Sequence, residues 1–163
     1  MDDLTLRKAV ELAITTEQLG ADFYARMERK FSDDEELKQV FSQLTKDEKV
    51  HEIQFKKILE KVPDDKPEDQ QWEKYQFLRA TAISEFFRKE AFLDTGKLKT
   101  KEDILGRALA FEKSTLQYYQ AIADILGENS ELKAIIAAEK SHVTNLMRTI
   151  IADAKFRGVN YDY

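Results

Sequence analysis

Cysteine is absent from this chain. Its absence excludes disulfides, thiolate zinc sites, thiolate nucleophiles and cysteine-held iron–sulfur centres. Proline (2) and glycine (5) are scarce among the 163 residues. Both interrupt regular structure, so long helices are expected. No apolar run approaches the roughly 18 residues that a membrane span requires. The opening "MDDLTLRKAV" is acidic and polar, unlike a secretory leader. Clustered Lys and Arg are lacking and the formal net charge is −5, which argues against a nucleic-acid surface. The expected setting is cytoplasmic, since a chain without cysteine is compatible with a reducing compartment. Histidine, finally, occurs only twice.

What is present reads as globular: 42% hydrophobic and 35% charged residues, in a length that suits one domain with a real core. Apolar residues recur every three or four positions, as on one face of a bundled helix. One stripe runs Leu6, Val10, Ala13, Glu17, Gly20, Tyr24, Met27, Phe31; the next runs Leu37, Phe41, Leu44, Glu48, His51, Phe55, Ile58, Val62. "SDDE" at 32–35 fits a capping box, with Ser32 as cap and Glu35 reaching back. The first helix is therefore expected to end near Lys30 and the second to span about 33–62. Pro67, followed by Glu68 and Asp69, suggests a further helix start. An aromatic segment over 72–92 then reads as core or subunit contact, and a homo-oligomer is expected. Thr100 in "TKED" reads as the next cap. A third stripe carries Leu105, Ala108, Glu112, Thr115, Tyr119, Ile122 and Leu126, up to Gly127 and Asn129. A fourth carries Leu132, Ile135, Glu139, His142, Leu146 and Ile150.

The two ends of the chain repeat one another. "TTEQLGADFY" (15–24) and "AFEKSTLQYY" (110–119) each place a glutamate seven residues before a tyrosine. Each is followed by a turn and a helix bearing Glu-x-x-His, "EKVH" at 48–51 and "EKSH" at 139–142. These stripes would bury four carboxylates, Glu17, Glu48, Glu112 and Glu139, with no Lys or Arg evident on the same faces. A buried carboxylate without a partner costs several kcal/mol or takes up a proton. Two divalent cations would balance four such charges, and each histidine would add a neutral nitrogen ligand. Residues three apart share a helix face, so each Glu-x-x-His can present oxygen and nitrogen to one region. Such mixed donors suit iron or manganese, and zinc also fits.

Taken singly, each histidine reads more readily as an ordinary interfacial residue, and Tyr24 and Tyr119 read equally as core tyrosines with satisfied hydroxyls. The pattern occurring twice is what favours a metal centre. "HEIQF" at 51–55 begins like a zinc-protease motif but lacks the second histidine. One axial mismatch stands out. Glu17 lies 13 residues before Lys30, whereas Glu48 lies 16 after Ser32, an offset of about 4.5 Å of helix rise. In the second hairpin Glu112 lies 14 before Leu126 and Glu139 lies 9 after Ser130, an offset of about 7.5 Å.

One Glu from each of two helices, with Glu-x-x-His from each of the other two, is the arrangement of ferritin-like carboxylate bundles. The chain resembles the ferritin-like di-iron carboxylate family, and rubrerythrin-type members without the rubredoxin module most closely. The resemblance implies an all-α, ferritin-like four-helix bundle over 1–163, with hairpins 4–62 and 101–157 joined by a helical crossover, 63–100. It implies two iron ions held by Glu17, Glu48, His51, Glu112, Glu139 and His142, with Tyr24 and Tyr119 hydrogen-bonding nearby. It further implies reduction of peroxide or dioxygen with an external electron donor, or alternatively iron handling with Fe(II) as substrate, or metal binding without turnover. Thr115 departs from the pattern, since rubrerythrins usually carry a further glutamate there.

Overall fold

The computed structural model describes residues 4–63, 71–93 and 98–156, with side chains except at 83–93 and 156. Among these residues five helices follow in order: α1 (Leu6–Lys30), α2 (Glu35–Leu59), α3 (Trp72–Leu93), α4 (Lys101–Leu126) and α5 (Ser130–Phe156). The chain is an all-α, ferritin-like bundle. In cross-section α1 packs on α2 and α4, α5 packs on α4 and α2, and α3 lies against α4 and α1. Two helical hairpins thus close into a ring, and the crossover carries its own helix.

The stripes become the inside of the ring. Every α2 position named above is buried, and so are the α1, α4 and α5 positions apart from the half-buried ends at Leu6, Phe31, Leu126 and Ile150. The apolar core falls into two clusters. One gathers Val10, Ala13, Phe55, Ile58, Tyr119, Ile122 and Ile135. The other gathers Phe23, Tyr24, Phe41, Leu44, Ala108, Phe111 and Leu146. In all four stripes the glutamate falls between residues of the first cluster and residues of the second. A polar layer therefore crosses the bundle at mid-height.

Helix ends are held by side chains. Thr5 caps α1 by accepting from Lys8 N–H at 3.2 Å. Thr100 caps α4 in a reciprocal box with Asp103. Arg7 reaches from α1 to the Leu59 carbonyl at the end of α2 and to the Val62 carbonyl just past it, satisfying acceptors that a helix end leaves open. Gly127 ends α4 at φ 76°, a left-handed value that glycine adopts without steric cost.

The expected Ser32–Glu35 capping box is not formed. Asp34 is the cap, accepting from Leu37 N–H at 3.0 Å. Asp34 caps as well as serine does, and this choice puts Glu35 and Glu36 in the first turn, where the helix dipole favours acids. The later start removes the mismatch in the first hairpin. Glu17 lies 13 residues before Lys30 and Glu48 lies 13 after Glu35. In the second hairpin the offset persists. With Glu112 and Glu139 level, α4 overhangs the start of α5 by about 7.5 Å. The turn 127–129 runs back to Asn129, which accepts from Leu132 N–H at 2.9 Å. The helix start expected at Pro67 lies outside the described residues. Of the aromatic segment, Tyr75 is buried in the core while Trp72 and Phe77 are exposed; the side chains of Phe86, Phe87 and Phe92 lie outside the described set.

Candidate metal centre

The polar layer contains Glu17 (α1), Glu48 and His51 (α2), Glu112 (α4), Glu139 and His142 (α5), each at most 6% exposed. All six residues expected from the sequence converge. Their donor atoms form two quartets, Glu17–Glu48–His51–Glu139 and Glu48–Glu112–Glu139–His142, each with its atoms within 4.8 Å of one another. Glu48 and Glu139 belong to both.

The arrangement has an approximate two-fold relation. His51 Nδ1 lies 3.5 Å from Glu17 and 2.9 Å from Glu139. His142 Nδ1 lies 3.2 Å from Glu112 and 3.8 Å from Glu48. Tyr24 donates its hydroxyl to Glu112 and Tyr119 donates to Glu17. Each tyrosine thus reaches across from α1 to α4, or the reverse, and ties the halves together. Burial and the facing glutamate charges push both phenols well above their ordinary range, so both stay protonated donors.

Among the described residues no Lys or Arg approaches the four carboxylates within salt-bridge distance; the two histidines are the only cationic groups there. Burial raises the Glu17 and Glu48 carboxyls well above the usual range, and the neighbouring glutamates raise Glu48 further. Burial and the Glu139 charge raise Glu112 to about 8. Burial acts the same way on Glu139, but contacts with His142 and His51 outweigh it and hold that carboxyl low. Burial would lower His142, yet Glu112 and Glu139 carry it up to about 12. His51 is raised by Glu139 against its own burial.

Protons alone leave this layer poorly satisfied. Glu17 Oε2, Glu48 Oε1, both Glu139 oxygens and His51 Nδ1 are buried without a hydrogen-bond partner. His51 Nδ1 and Glu139 Oε1 are 2.9 Å apart, yet they are misaligned for a hydrogen bond. Buried polar atoms are nearly always paired. Oxygen and nitrogen lone pairs converging without donors between them fit a cation, so the donor set passes the test for a metal centre. Gly20 shapes the space, because a Cβ there would stand 3.0 Å from the Phe111 ring and 3.3 Å from Glu48 Oε2.

A family model described as Rubrerythrin matches residues 8–91, just over half of the chain. The chain belongs to the rubrerythrin family. No curated protein and no solved structure matches it. Within this rubrerythrin-family chain the match takes in Glu17, Glu48 and His51. The second half of the layer, Glu112, Glu139 and His142, lies beyond it and stands on geometry. Thr115 brings no ligand: its hydroxyl turns back to the Phe111 and Glu112 carbonyls of its own helix.

Two contacts escaped the sequence reading. Tyr118 is buried and donates to the Ala9 carbonyl at 2.7 Å, pinning α4 to α1. Asp47 stands 3.1 Å from His142 Nε2. The signal for Asp47 was its place beside Glu48, but adjacency on a helix does not reveal which neighbouring helix a side chain meets. Among the described residues no helix is long and apolar enough to cross a membrane.

Proposed function

We propose that this chain binds two iron ions in the carboxylate–histidine layer and acts as an oxidoreductase that reduces peroxide or dioxygen. One observation carries the reading: two donor quartets overlap in Glu48 and Glu139. A carboxylate has two oxygens, so a shared glutamate can serve two positions at once. Glu17 and His51 then belong to one position, Glu112 and His142 to the other. Oxygen and imidazole donors suit iron or manganese, and zinc also fits. Held as a pair, ferrous ions would supply the two electrons that, with two protons, carry one peroxide to two waters.

The chain's own work is positional. Glu48 and Glu139 span the layer. The Tyr24 and Tyr119 hydroxyls fix Glu112 and Glu17 in place, as outer partners of metal ligands do. The apolar clusters above and below keep the layer dry, which strengthens every charge interaction inside it. Re-reduction falls to an external electron donor, because the sequence offers no cysteine for an iron–sulfur relay.

Anaerobic loading with Fe(II) is expected to give about two ions per chain, and stopped-flow mixing with peroxide should oxidise them within a turnover time of about a second or less. Slow oxidation by both peroxide and dioxygen would reject the enzymatic reading and leave metal binding alone. Tyr24→Phe and Tyr119→Phe are each expected to weaken metal affinity by about tenfold, the lower end for lost outer partners. A chelator competition titration measures this, and unchanged affinity in both variants would remove the tyrosines from the site.

A further inference from the structure

The two-fold relation of the metal layer is broken at one place. His142 Nε2, the ring nitrogen facing away from the layer, lies 3.1 Å from Asp47 Oδ2. The other Asp47 oxygen accepts from the Gln43 amide at 2.8 Å. Asp47 and Gln43 stand one and five residues before Glu48. The matching positions before Glu139 are Ala138 and Ala134. Alanine carries no acceptor, and among the described residues no carboxylate faces the outer nitrogen of His51. A cavity of about 390 Å³ between α2 and α5 is lined by Gln43, Asp47 and His142, with Asn145 and Arg148 at its sides.

A carboxylate only accepts, so the contact with Asp47 requires hydrogen on His142 Nε2. Nδ1, which faces Glu112 and Glu139, is then the nitrogen left to give up its hydrogen and ligate when an ion binds. The ring is also fixed in angle, since Gln43 fixes Asp47 in turn. Among the described residues His51 has no such outer partner, so both its tautomer and its ring angle must be selected when an ion binds. Outer carboxylates on ligating histidines raise ligand basicity and commonly contribute 10–100-fold in metal affinity.

We propose that Asp47 is a positioning residue for His142, and that the Gln43–Asp47–His142 chain makes the quartet Glu48–Glu112–Glu139–His142 the tighter of two unequal metal positions. The inference rests on the reading that the layer binds two ions. Filling is then ordered: the first ion takes the His142 position, and the second takes the His51 position at higher concentration.

Titration of the metal-free protein with Co(II), read by its visible absorption, tests this without turnover. The wild type is expected to fill in two steps separated by about 10–100-fold. Asp47→Ala should weaken the first step by a similar factor and bring the steps together. Asp47→Asn, which keeps an acceptor for the Nε2 hydrogen, should recover most of the loss. Gln43→Ala, a milder change at an exposed position, should weaken the same step by a few-fold. His51→Ala should remove the second step and leave the first. Two equal steps in the wild type would overturn the proposal, and so would an unchanged first step in Asp47→Ala and Gln43→Ala. Loss of the first step in His51→Ala would overturn it as well. Failure of the wild type to bind Co(II) at all would sink the two-ion reading beneath it.

Discussion

Exchanging Glu48 and Glu139 together for glutamine is expected to take bound metal from about two ions per chain to none, while Glu48→Gln alone should leave the metal-free protein as stable or more so. The first half follows from sharing. Both carboxylates belong to both quartets, so each position loses two of its three carboxylate charges in one variant. Amide oxygens are neutral and bind hard cations weakly, and the layer's formal charge falls from −4 to −2. The second half runs against the usual expectation for buried substitutions. Without metal, the Glu48 carboxyl is buried, repelled by the neighbouring glutamates and left with Oε1 unpaired. An amide there keeps the carboxylate's shape and brings two donors into a layer crowded with acceptors. Glu139 is different, because His142 and His51 stabilise its charge, and removing one partner of a buried pair is costly. The stability comparison therefore belongs to Glu48→Gln, whose metal-free Tm should stay level or rise at neutral pH. Metal analysis after equilibrium dialysis and thermal unfolding in chelator together check both halves. Retention of two ions would reject the ligand assignment. Lost metal in the double variant with a large drop in the metal-free stability of Glu48→Gln would mean that the layer is a structural ion network instead.

The fold and the convergence of the six candidate ligands were legible in the sequence for one reason. A glutamate or histidine inside an apolar stripe is costly, and the chain places six of them at corresponding heights in a repeated hairpin. Periodicity therefore reported burial before any coordinates did. Where periodicity was silent, the sequence reading stopped. Ser32 and Asp34 are residue types that cap about equally well, so the Ser32 reading could not be told from the Asp34 cap that forms; the apparent axial offset in the first hairpin came from that choice. The overhang of α4 past α5 depends on how a three-residue turn runs back, which helix propensity does not encode. Asp47 lies off the seam, half-exposed, and reads as an ordinary surface acid until His142 of α5 is set against it. Tyr118 adjoins Tyr119 yet serves a different neighbour, the Ala9 carbonyl. Contacts between helices decide such roles, and one-dimensional spacing carries little of that information.

The pH dependence of metal-free stability provides the most direct test of the buried carboxylates. Unfolded, they titrate near the ordinary 4.5. Folded, Glu17 and Glu48 are held well above that value by burial, and Glu112 is raised to about 8. Between those limits the folded chain keeps protons that the unfolded chain has lost. The slope of stability against pH follows the proton difference, unfolded minus folded, and is therefore negative. The histidines act with the same sign. His142 keeps its proton up to about 12, so its contribution is complete below 6.5 and fades as pH rises toward that value. His51, raised more modestly, adds to the fall. Glu139 opposes it only below 4.5, where loss of its charge costs the histidine contacts. Above pH 5 every shifted group in the layer therefore pushes one way. Each such proton is worth about 1.4 kcal/mol per pH unit, so even one net proton would cost the metal-free protein about 4 kcal/mol between pH 5 and 8, and the fall in Tm should be at least about 10 °C. Metal reverses the trend, because it binds the deprotonated ligands and releases their protons; the gap between loaded and metal-free Tm should widen as pH rises. In Glu48→Gln/Glu139→Gln the metal-free slope should flatten, since the raised Glu48 carboxyl is gone and the remaining ones lose a charged neighbour. Thermal unfolding in chelator across pH 5–8 decides it, and a flat or rising metal-free profile would show that these carboxyls keep ordinary pKa values and face water rather than one another.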